Sequence, residues 1–358
     1  MNVSGHKVWE RIGSGMTAAS EGERRPATIY DVARKAGVSH ETVSRVLRDN
    51  PAVKPKNRER VEAALLALHY RPNATAKALA TRRSRRIGAM VYDLREAGPG
   101  QFVEGATEAA REAGYLLDIV SVRSVANGDV DTAVALLNQP DLAGVIAFTP
   151  TDQSRDALAK TTFRIPVFFE TEGEDDVDSG VVSLNAVGVG LVVDHLVSLG
   201  HSRILHLAGP DGWVSARNRS RAYERGMIGH GLVPLPIVSS ASWSAASGYE
   251  AARLIDGAGM PTAIIAGNDQ IAVGLLLALH ERGISVPEDV SVVGFDDIPE
   301  SAFTIPRLTT VHIDFAQAGL RAVRSLVAQI EGDGGLAADD EVAVSARLVV
   351  RSSTATRS

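Results

Sequence analysis

Five short apolar runs in this 358-residue chain close on polar or aromatic side chains: Tyr92 and Asp93, Phe148 and Thr149, Glu170 to Glu172, Asn268 and Asp269, Asp296 and Asp297. Carboxylates and amides in such places can bind vicinal hydroxyls, and an aromatic can stack on a sugar ring. They can equally cap the helices that follow, and Asn268 and Asp296 are good caps. Near the N-terminus a second group, His40, Glu41, Ser44 and Arg45, is spaced to share one helix face. Those side chains suit base edges in a DNA groove, or simply the wet face of an αα-hairpin. Bond-breaking chemistry has no such foothold. There is no cysteine, no GxSxG elbow, no Walker lysine motif and no HExxH. GVGLVV at 188–193 lacks the third glycine of a nucleotide loop and sits inside an apolar helix pattern. His195, His201 and His206 are not spaced as a metal site. No cofactor and no metal are expected.

The first group of elements runs from Thr28 to Arg48 as TIYDVARKAGVSHETVSRVLR. Thr28 can cap a helix, with Asp31 completing a variant capping box. Ile29, Val32, Ala33 and Ala36 make its apolar face, and Gly37 suits a left-handed turn. Ser39 caps a second helix whose Val43, Val46 and Leu47 turn back inward. The spacing predicts a helix-turn-helix. Pro55 then opens a third helix with Val61, Ala64, Leu65 and Leu68 inside. Lys54, Lys56, Arg58 and Arg60 crowd its start, placed for phosphates or merely solvated. Pro72 ends that helix, and Asn73 can cap the short stretch ATAKALAT. Two turns are marginal alone. Its one large apolar side chain, Leu79, is either incidental in a linker or a wedge for the minor groove.

From Ile87 the pattern becomes alternating strand and helix. IGAMVYDL, YLLDIVSV, GVIAFTP and IPVFFE read as strands, with helices near Phe102–Ala113 and Val130–Asn138. A second round opens with GVVSLN and runs through RILHLAG, PIVSS, TAIIAGN and DVSVVGFDD. Its helices fall near Val187–Leu199, Arg217–Gly229, Ala245–Ile255 and Gln270–Arg282. The fold class expected is α/β: an all-α headpiece plus two doubly wound parallel-sheet lobes with facing crevices. The expected divisions are an extension, 1–26; a helix-turn-helix domain, 27–72; a hinge and basic linker, 73–86; a core, 87–352; and a tail, 353–358. The first lobe would hold 87–183 and 313–338, the second 184–310 and 339–352.

Charge is uneven. Residues 1–86 carry 18 Lys and Arg against 8 Asp and Glu, while the rest carries 19 against 35, within a net charge of −6. A basic end on an acidic body points one end at a polyanion. The lack of cysteine fits a reducing cytoplasm, and no apolar run of about 18 residues or more predicts a membrane span. No secretory signal is visible.

With these motifs in view, the chain after residue 26 resembles the LacI/GalR family of bacterial repressors. TIYDVARKAGVS, TVSRVL, YRPNATAKALA, GNDQIAVGLL, GISVPEDVSVVGFDDIPES and IPRLTTVHIDF carry the likeness. VSARNRSRAY and SWSAASGY are similar to lactose-type, sugar-sensing members. The resemblance implies a periplasmic-binding-protein-like core. It implies that His40, Glu41 and Arg45 read bases and that Leu79 is the minor-groove lever. Thr28, Ser39, Thr42, Ser44, Lys54, Asn57, Tyr70, Asn73 and Lys77 complete the expected DNA-contacting set. In the core it implies that Arg219, Asn268 and Asp296 bind sugar hydroxyls, that Trp243 stacks on the ring, and that Ser215 lies nearby. Tyr92, Asp93, Phe148, Thr171 and Phe315 join this expected effector set. Thr171 stands where an aspartate is usual, Phe148 where a polar residue is, Lys77 where arginine is frequent, and Lys54 in place of a serine cap.

The function expected is a repressor released from pseudo-palindromic, double-stranded operator DNA by a small carbohydrate. It would be a cytoplasmic homodimer, because no apolar heptads follow that would make a tetramer. A corepressor-type response, a sugar-transport protein and a sugar-modifying enzyme are the alternatives. The basic headpiece opposes the second, and the lack of paired catalytic carboxylates the third.

Overall fold

The computed structural model describes residues 27–47, 50–70, 84–122, 129–139, 141–175, 182–253, 255, 260–332 and 345–357. Asn73, Lys77 and Leu79, and with them the expected hinge, lie outside the described residues, as do the 1–26 extension and Arg48 and Asp49. The chain divides into two units, residues 1–82 and 83–358.

In the first unit α1 (Ile29–Ala36), α2 (His40–Leu47) and α3 (Pro55–Ala67) enclose a small core. The expected capping box forms: Asp31 N–H donates to Thr28 Oγ1 at 3.3 Å, and Thr28 N–H donates to Asp31 Oδ2 at 2.9 Å. Gly37 turns the chain at φ 62°, a conformation cheapest for glycine. Val32, Val43, Val46 and Val61 meet behind that turn, and the half-buried Val38 packs against them. Each helix is too short to persist alone, so this shared apolar centre is what holds all three.

In the second unit, β1 (Arg86–Tyr92), α4 (Ala97–Glu112), β2 (Leu116–Val122), α5 (Asp129–Leu137), β3 (Gly144–Thr149), α6 (Asp152–Ala159) and β4 (Val167–Thr171) form one round. Their sheet is parallel, in the order β2-β1-β3-β4. The second round is α7 (Leu184–Ser198), β5 (Ile204–Ala208), α8 (Val214–Gly229), β6 (Val238–Ser239), α9 (Ala245–Ala252), β7 (Ala263–Ala266), α10 (Asp269–Glu281) and β8 (Ser291–Val293). Its parallel order, β6-β5-β7-β8, repeats the first. Both sheets reverse their winding between two central strands, which opens a crevice at the strand carboxyl ends.

The chain then runs through β9 (Thr310–Ile313), α11 (Phe315–Glu331) and β10 (Ala346–Val349). Ala322, Val323 and Leu326 of α11 pack with Ile87, Ala89 and Phe102 of the first round. Val311 and Ile313 of β9, with Leu348 of the antiparallel β10, pack with Val189 and Phe295 of the second. The chain therefore passes between the two lobes more than once, which ties their relative positions to the segments that cross.

Three expectations shift. The helix expected from Phe102 starts at Ala97 and takes in Pro99, whose missing N–H costs little in a first turn. GVVSLN, expected to open the second round as a strand, ends as a helix start. Ser183 Oγ accepts from Ala186 N–H at 3.2 Å, and Leu184 and Asn185 are the first residues of α7. Ser353, expected in a tail, is fully buried, and its Oγ donates to Val292 O at 2.6 Å.

Candidate functional site

Helix α2 of the first unit leaves His40, Glu41 and Arg45 exposed, with Thr42 and Ser44 half-buried beside them. The interior pull of Val43 and Val46 fixes that face outward. Arg45 Nη2 donates to Glu41 Oε1 at 2.7 Å, and the His40 ring lies 5.2 Å from that of Tyr30. Several expected contact residues also have structural work. Thr28 and Ser39 cap α1 and α2, Thr42 Oγ1 lies 2.9 Å from Ser39 Oγ, and Tyr70 packs against the small core. Asn57 is half-buried in the first turn of α3. Lys54 is exposed and makes no side-chain cap, as its type predicts.

In the second unit a cavity of about 580 Å³ lies at the strand ends. It is large enough for a small ligand. Phe148, Thr171, Ser215, Arg219, Trp243, Asn268, Asp296 and Phe315 all line it. Tyr92 and Asp93 do not; they line a neighbouring cavity.

Arg219 is the centre of the polar wall and is 4% exposed. Its Nε donates to Asn185 Oδ1 at 2.6 Å, its Nη2 to Asp296 Oδ1 at 3.1 Å, and its Nη1 to the carbonyl of Gly267. Asn185 Nδ2 in turn donates to Glu172 Oε1 at 2.6 Å, and Asn218 Nδ2 donates to the same oxygen at 3.0 Å. Glu172 follows β4, whereas Asn185, Asn218 and Arg219 come from α7 and α8, so the network joins the two lobes. Asp296 sits at φ 98°, a backbone state that a non-glycine residue occupies at a cost. Burial pushes the carboxyls of Asp296 and Glu172 above the usual range, outweighing Arg219 in the first and the amide donors in the second.

The aromatic wall adjoins this. Trp243 is nearly buried, with Arg219 Cζ 5.3 Å from its ring centre. Its six-membered ring rests on Gly209, where a Cβ would come within 2.2 Å of Cη2. Trp213 meets Trp243 edge-on at 5.6 Å, and Tyr92 meets Trp213 edge-on at 4.9 Å. Phe148 packs on Phe102 at 5.1 Å between ring centres. On the first-round side Arg321 Nη2 donates to Glu170 Oε1 at 3.3 Å. Asn268 caps α10 by accepting from Ile271 N–H at 2.8 Å and still lines the cavity, so its two expected roles coexist.

Two strand-end candidates turn inward instead. Asp269 accepts from Ser301 Oγ and Thr310 Oγ1, each at 2.6 Å, and from Ile298 N–H at 2.9 Å. Burial lifts its carboxyl to about 7. Asp297 is held by Arg351 Nη2 at 2.6 Å. Both fasten the turn that carries Asp296. Sequence reasoning missed Glu96, Asn185, Trp213 and Arg321 as lining residues; Trp213 lies in the GWVSARN run, just before residues that were noticed. Among the described residues no cluster of three or more His, Asp or Glu side chains could hold a metal.

A buried polar network and aromatic side chains thus line one cavity. Residues 28–73 match the family described as bacterial regulatory proteins, lacI family, and residues 193–354 match the periplasmic binding protein-like domain. The lactose operon repressor of Escherichia coli (strain K12) is 34% identical over 310 residues, 86% of each chain. The chain belongs to the LacI family. Among solved LacI-family structures, that of the Lac repressor dimer bound to operator and the anti-inducer ONPF aligns with a TM-score of 0.78 at 33% identity. It covers 92% of this chain and 100% of that one. The transcriptional regulator CelR-cellobiose complex aligns at 0.63 and 28% identity over 92% of this chain and 100% of that one.

Proposed function

We propose that this LacI-family chain is a DNA-binding transcriptional repressor whose core cavity takes a small carbohydrate and whose release from the operator follows. The observation that carries the carbohydrate reading is the buried Arg219–Asp296–Asn185–Glu172 network lining one cavity together with the indole of Trp243. Vicinal hydroxyls bridge such paired carboxylates and amides, and the apolar face of a sugar ring lies on an indole. Arg219, Asn268 and Asp296 would hold hydroxyls and Trp243 the ring face. Ser215, Phe148, Thr171 and Phe315 would complete the enclosure.

The exposed face of α2 supports base reading by His40, Glu41 and Arg45, and the basic start of α3 supports phosphate contacts. The working form is a homodimer on a pseudo-palindromic site, in the cytoplasm, without enzymatic activity. Among the described residues no helix is long and apolar enough to cross a membrane. Residues 73–81 would serve as the hinge helix that winds on the minor groove with Leu79 as its wedge, the basic linker following it, and sugar binding would unsettle that winding. A differential affinity of about 1–3 kcal/mol would change occupancy from several-fold to about a hundredfold.

The test is a gel shift of the full chain on pseudo-palindromic duplexes, with and without glucosides and galactosides, followed by Leu79→Ala. Binding that falls steeply with salt, is relieved by a sugar and is weakened by Leu79→Ala is the expected result. Tightening by the sugar would make it a corepressor-type regulator. Indifference to every sugar would remove the carbohydrate reading.

A further inference from the structure

Ser84, Arg85 and Arg86 stand where the chain enters the second unit, just after the expected hinge. Arginines in such a stretch suit DNA phosphates, yet these two are committed to the core. Arg86 opens β1 and forks onto Asp118 of β2, with Nε 2.7 Å from Oδ2 and Nη2 2.9 Å from Oδ1. Its Nη1 donates to Asp141 at 3.3 Å, and Ser84 Oγ donates to the carbonyl of the same Asp141. The backbone is held as well: Leu116 N–H donates to Arg85 O at 2.9 Å, and Ala143 N–H to Arg86 O at 2.7 Å.

Arg85 reaches two helix ends. Its Nη1 donates to Ala113 O at 3.5 Å, just past the last residue of α4, and to Oε1 of Glu331, the last residue of α11, at 3.4 Å. Its Cζ lies 4.8 Å from the ring centre of Tyr115, whose Oη donates to the same Glu331 oxygen at 3.3 Å. A cation is favoured at a helix C-terminus, and one guanidinium here serves two. Both helices begin at the effector cavity, which Gly98 and Pro99 of α4 and Phe315 and Arg321 of α11 line. The two are packed backbone to backbone. A Cβ at Gly105 would come within 1.8 Å of Ala316 O, and one at Gly319 within 1.9 Å of Phe102 O. So close a packing does not yield piecemeal. The 17 residues of α11 span about 25 Å between the cavity and Arg85.

We infer that Arg85 is a positioning residue for the regulatory response: it fastens the point where the linker enters the core to the far ends of α4 and α11, whose near ends border the effector. A ligand that displaces the near ends moves the helix pair as one body, and the linker's attachment with it. This rests on the repressor reading of the chain. Arg85 and Glu331 are each about half exposed, so their pair adds little stability; what it supplies is position. A claim of coupling between distant sites is decided by measured coupling, which a double-mutant cycle supplies.

Anisotropy titrations of the full chain would use a duplex that it selects from a library of randomised pseudo-palindromes, with lactose, cellobiose and methyl β-D-galactoside as probe sugars. Arg85→Leu and Glu331→Gln should each weaken DNA binding about three- to fivefold, and the double variant no more than either alone. Each should also shrink the release caused by whichever probe sugar frees the parent, while the calorimetric sugar affinity and the urea midpoint stay where they are. Arg85→Lys, which keeps the cation, should recover most of both losses. Phosphate binding by Arg85 predicts the other sign at its partner: if Glu331→Gln leaves DNA binding unchanged or tighter while Arg85→Leu weakens it, the inference is overturned. Additive losses, or a sugar response of full size in both variants, overturn it too. If no duplex is selected, the repressor reading falls and this inference with it. If no probe sugar frees the parent, the carbohydrate reading falls alone, and the losses at Arg85 and Glu331 decide the inference.

Discussion

Arg219 donates through Nη2 to Asp296 at 3.1 Å, with both side chains less than one-tenth exposed. The same guanidinium lies with Cζ 3.7 Å from the ring centre of Phe295. A buried charge pair of this kind is weak evidence of stability, because desolvation offsets much of the attraction. Its value here is placement: Arg219 ties α8 to Asn185 at the start of α7, to Gly267 after β7 and to Asp296 after β8, which fixes the polar wall within the second lobe.

Asp296→Ala leaves that guanidinium buried without its counter-ion. The expected loss is about 3–5 kcal/mol, read from urea unfolding, together with loss of sugar binding by calorimetry. A stability change below about 1 kcal/mol would mean that the pair is not coupled to the fold.

Acidity should matter through Asp269. Its carboxyl rises from 3.8 to about 7 on burial, so between those values the folded chain holds a proton that the unfolded chain has released. By linkage, stability from this group falls as pH rises from about 4 to about 7. Glu96, lifted to about 7, works in the same direction. His206, depressed to about 4 by burial, works in the opposite one, losing stability as pH falls below its unfolded value. Comparing urea midpoints of the parent and Asp269→Asn at pH 5 and pH 8 isolates the first carboxyl. The variant should show the smaller decline toward alkaline pH.

The Arg45–Glu41 pair has both side chains more than half exposed, so exchanging Glu41 for a base costs little. Arg45→Ala should weaken operator binding by about 1–3 kcal/mol and relax preference at one base position. Lys56→Ala should weaken all sequences alike and reduce the salt slope by about one. Fluorescence anisotropy across a salt series separates the two; identical behaviour would place Arg45 on phosphate.

Arg217 links α8 to the first lobe, with Nη2 2.8 Å from Asp152 and 2.9 Å from Glu174. Its side chain is partly open to solvent, so the pairs are modest contributors. Arg217→Ala should lower sugar affinity by at most about fivefold with little change in the urea midpoint. A fall in the midpoint without any change in affinity would make it a local strut rather than an aid to closure.

Much of this was legible in residue order. Strand ends followed by Asn268 and Asp296 pointed to a crevice because a parallel sheet leaves its carboxyl ends open, and the capping box of Thr28 and Asp31 is a local signal. Asn185 escaped notice because its preceding run reads as a strand, whereas Ser183 turns it into a helix start. Asp269 was indistinguishable from a ligand residue, because its partners Ser301 and Thr310 lie 32 and 41 residues onward. Such pairings depend on topology, which periodicity does not encode. Tyr92 and Asp93 end a strand like the others, but the aromatic row of Trp213 and Trp243 lies between them and the first cavity only once the chain is folded.

The bare backbone of Gly209 beneath Trp243 makes that position a dial. A methyl group there would clash with the indole and force it to shift, reshaping the chamber without replacing any side chain that lines it. Retuning such a pocket to a slimmer ligand could therefore start one layer behind the lining, at a residue that a search for binding determinants would pass over.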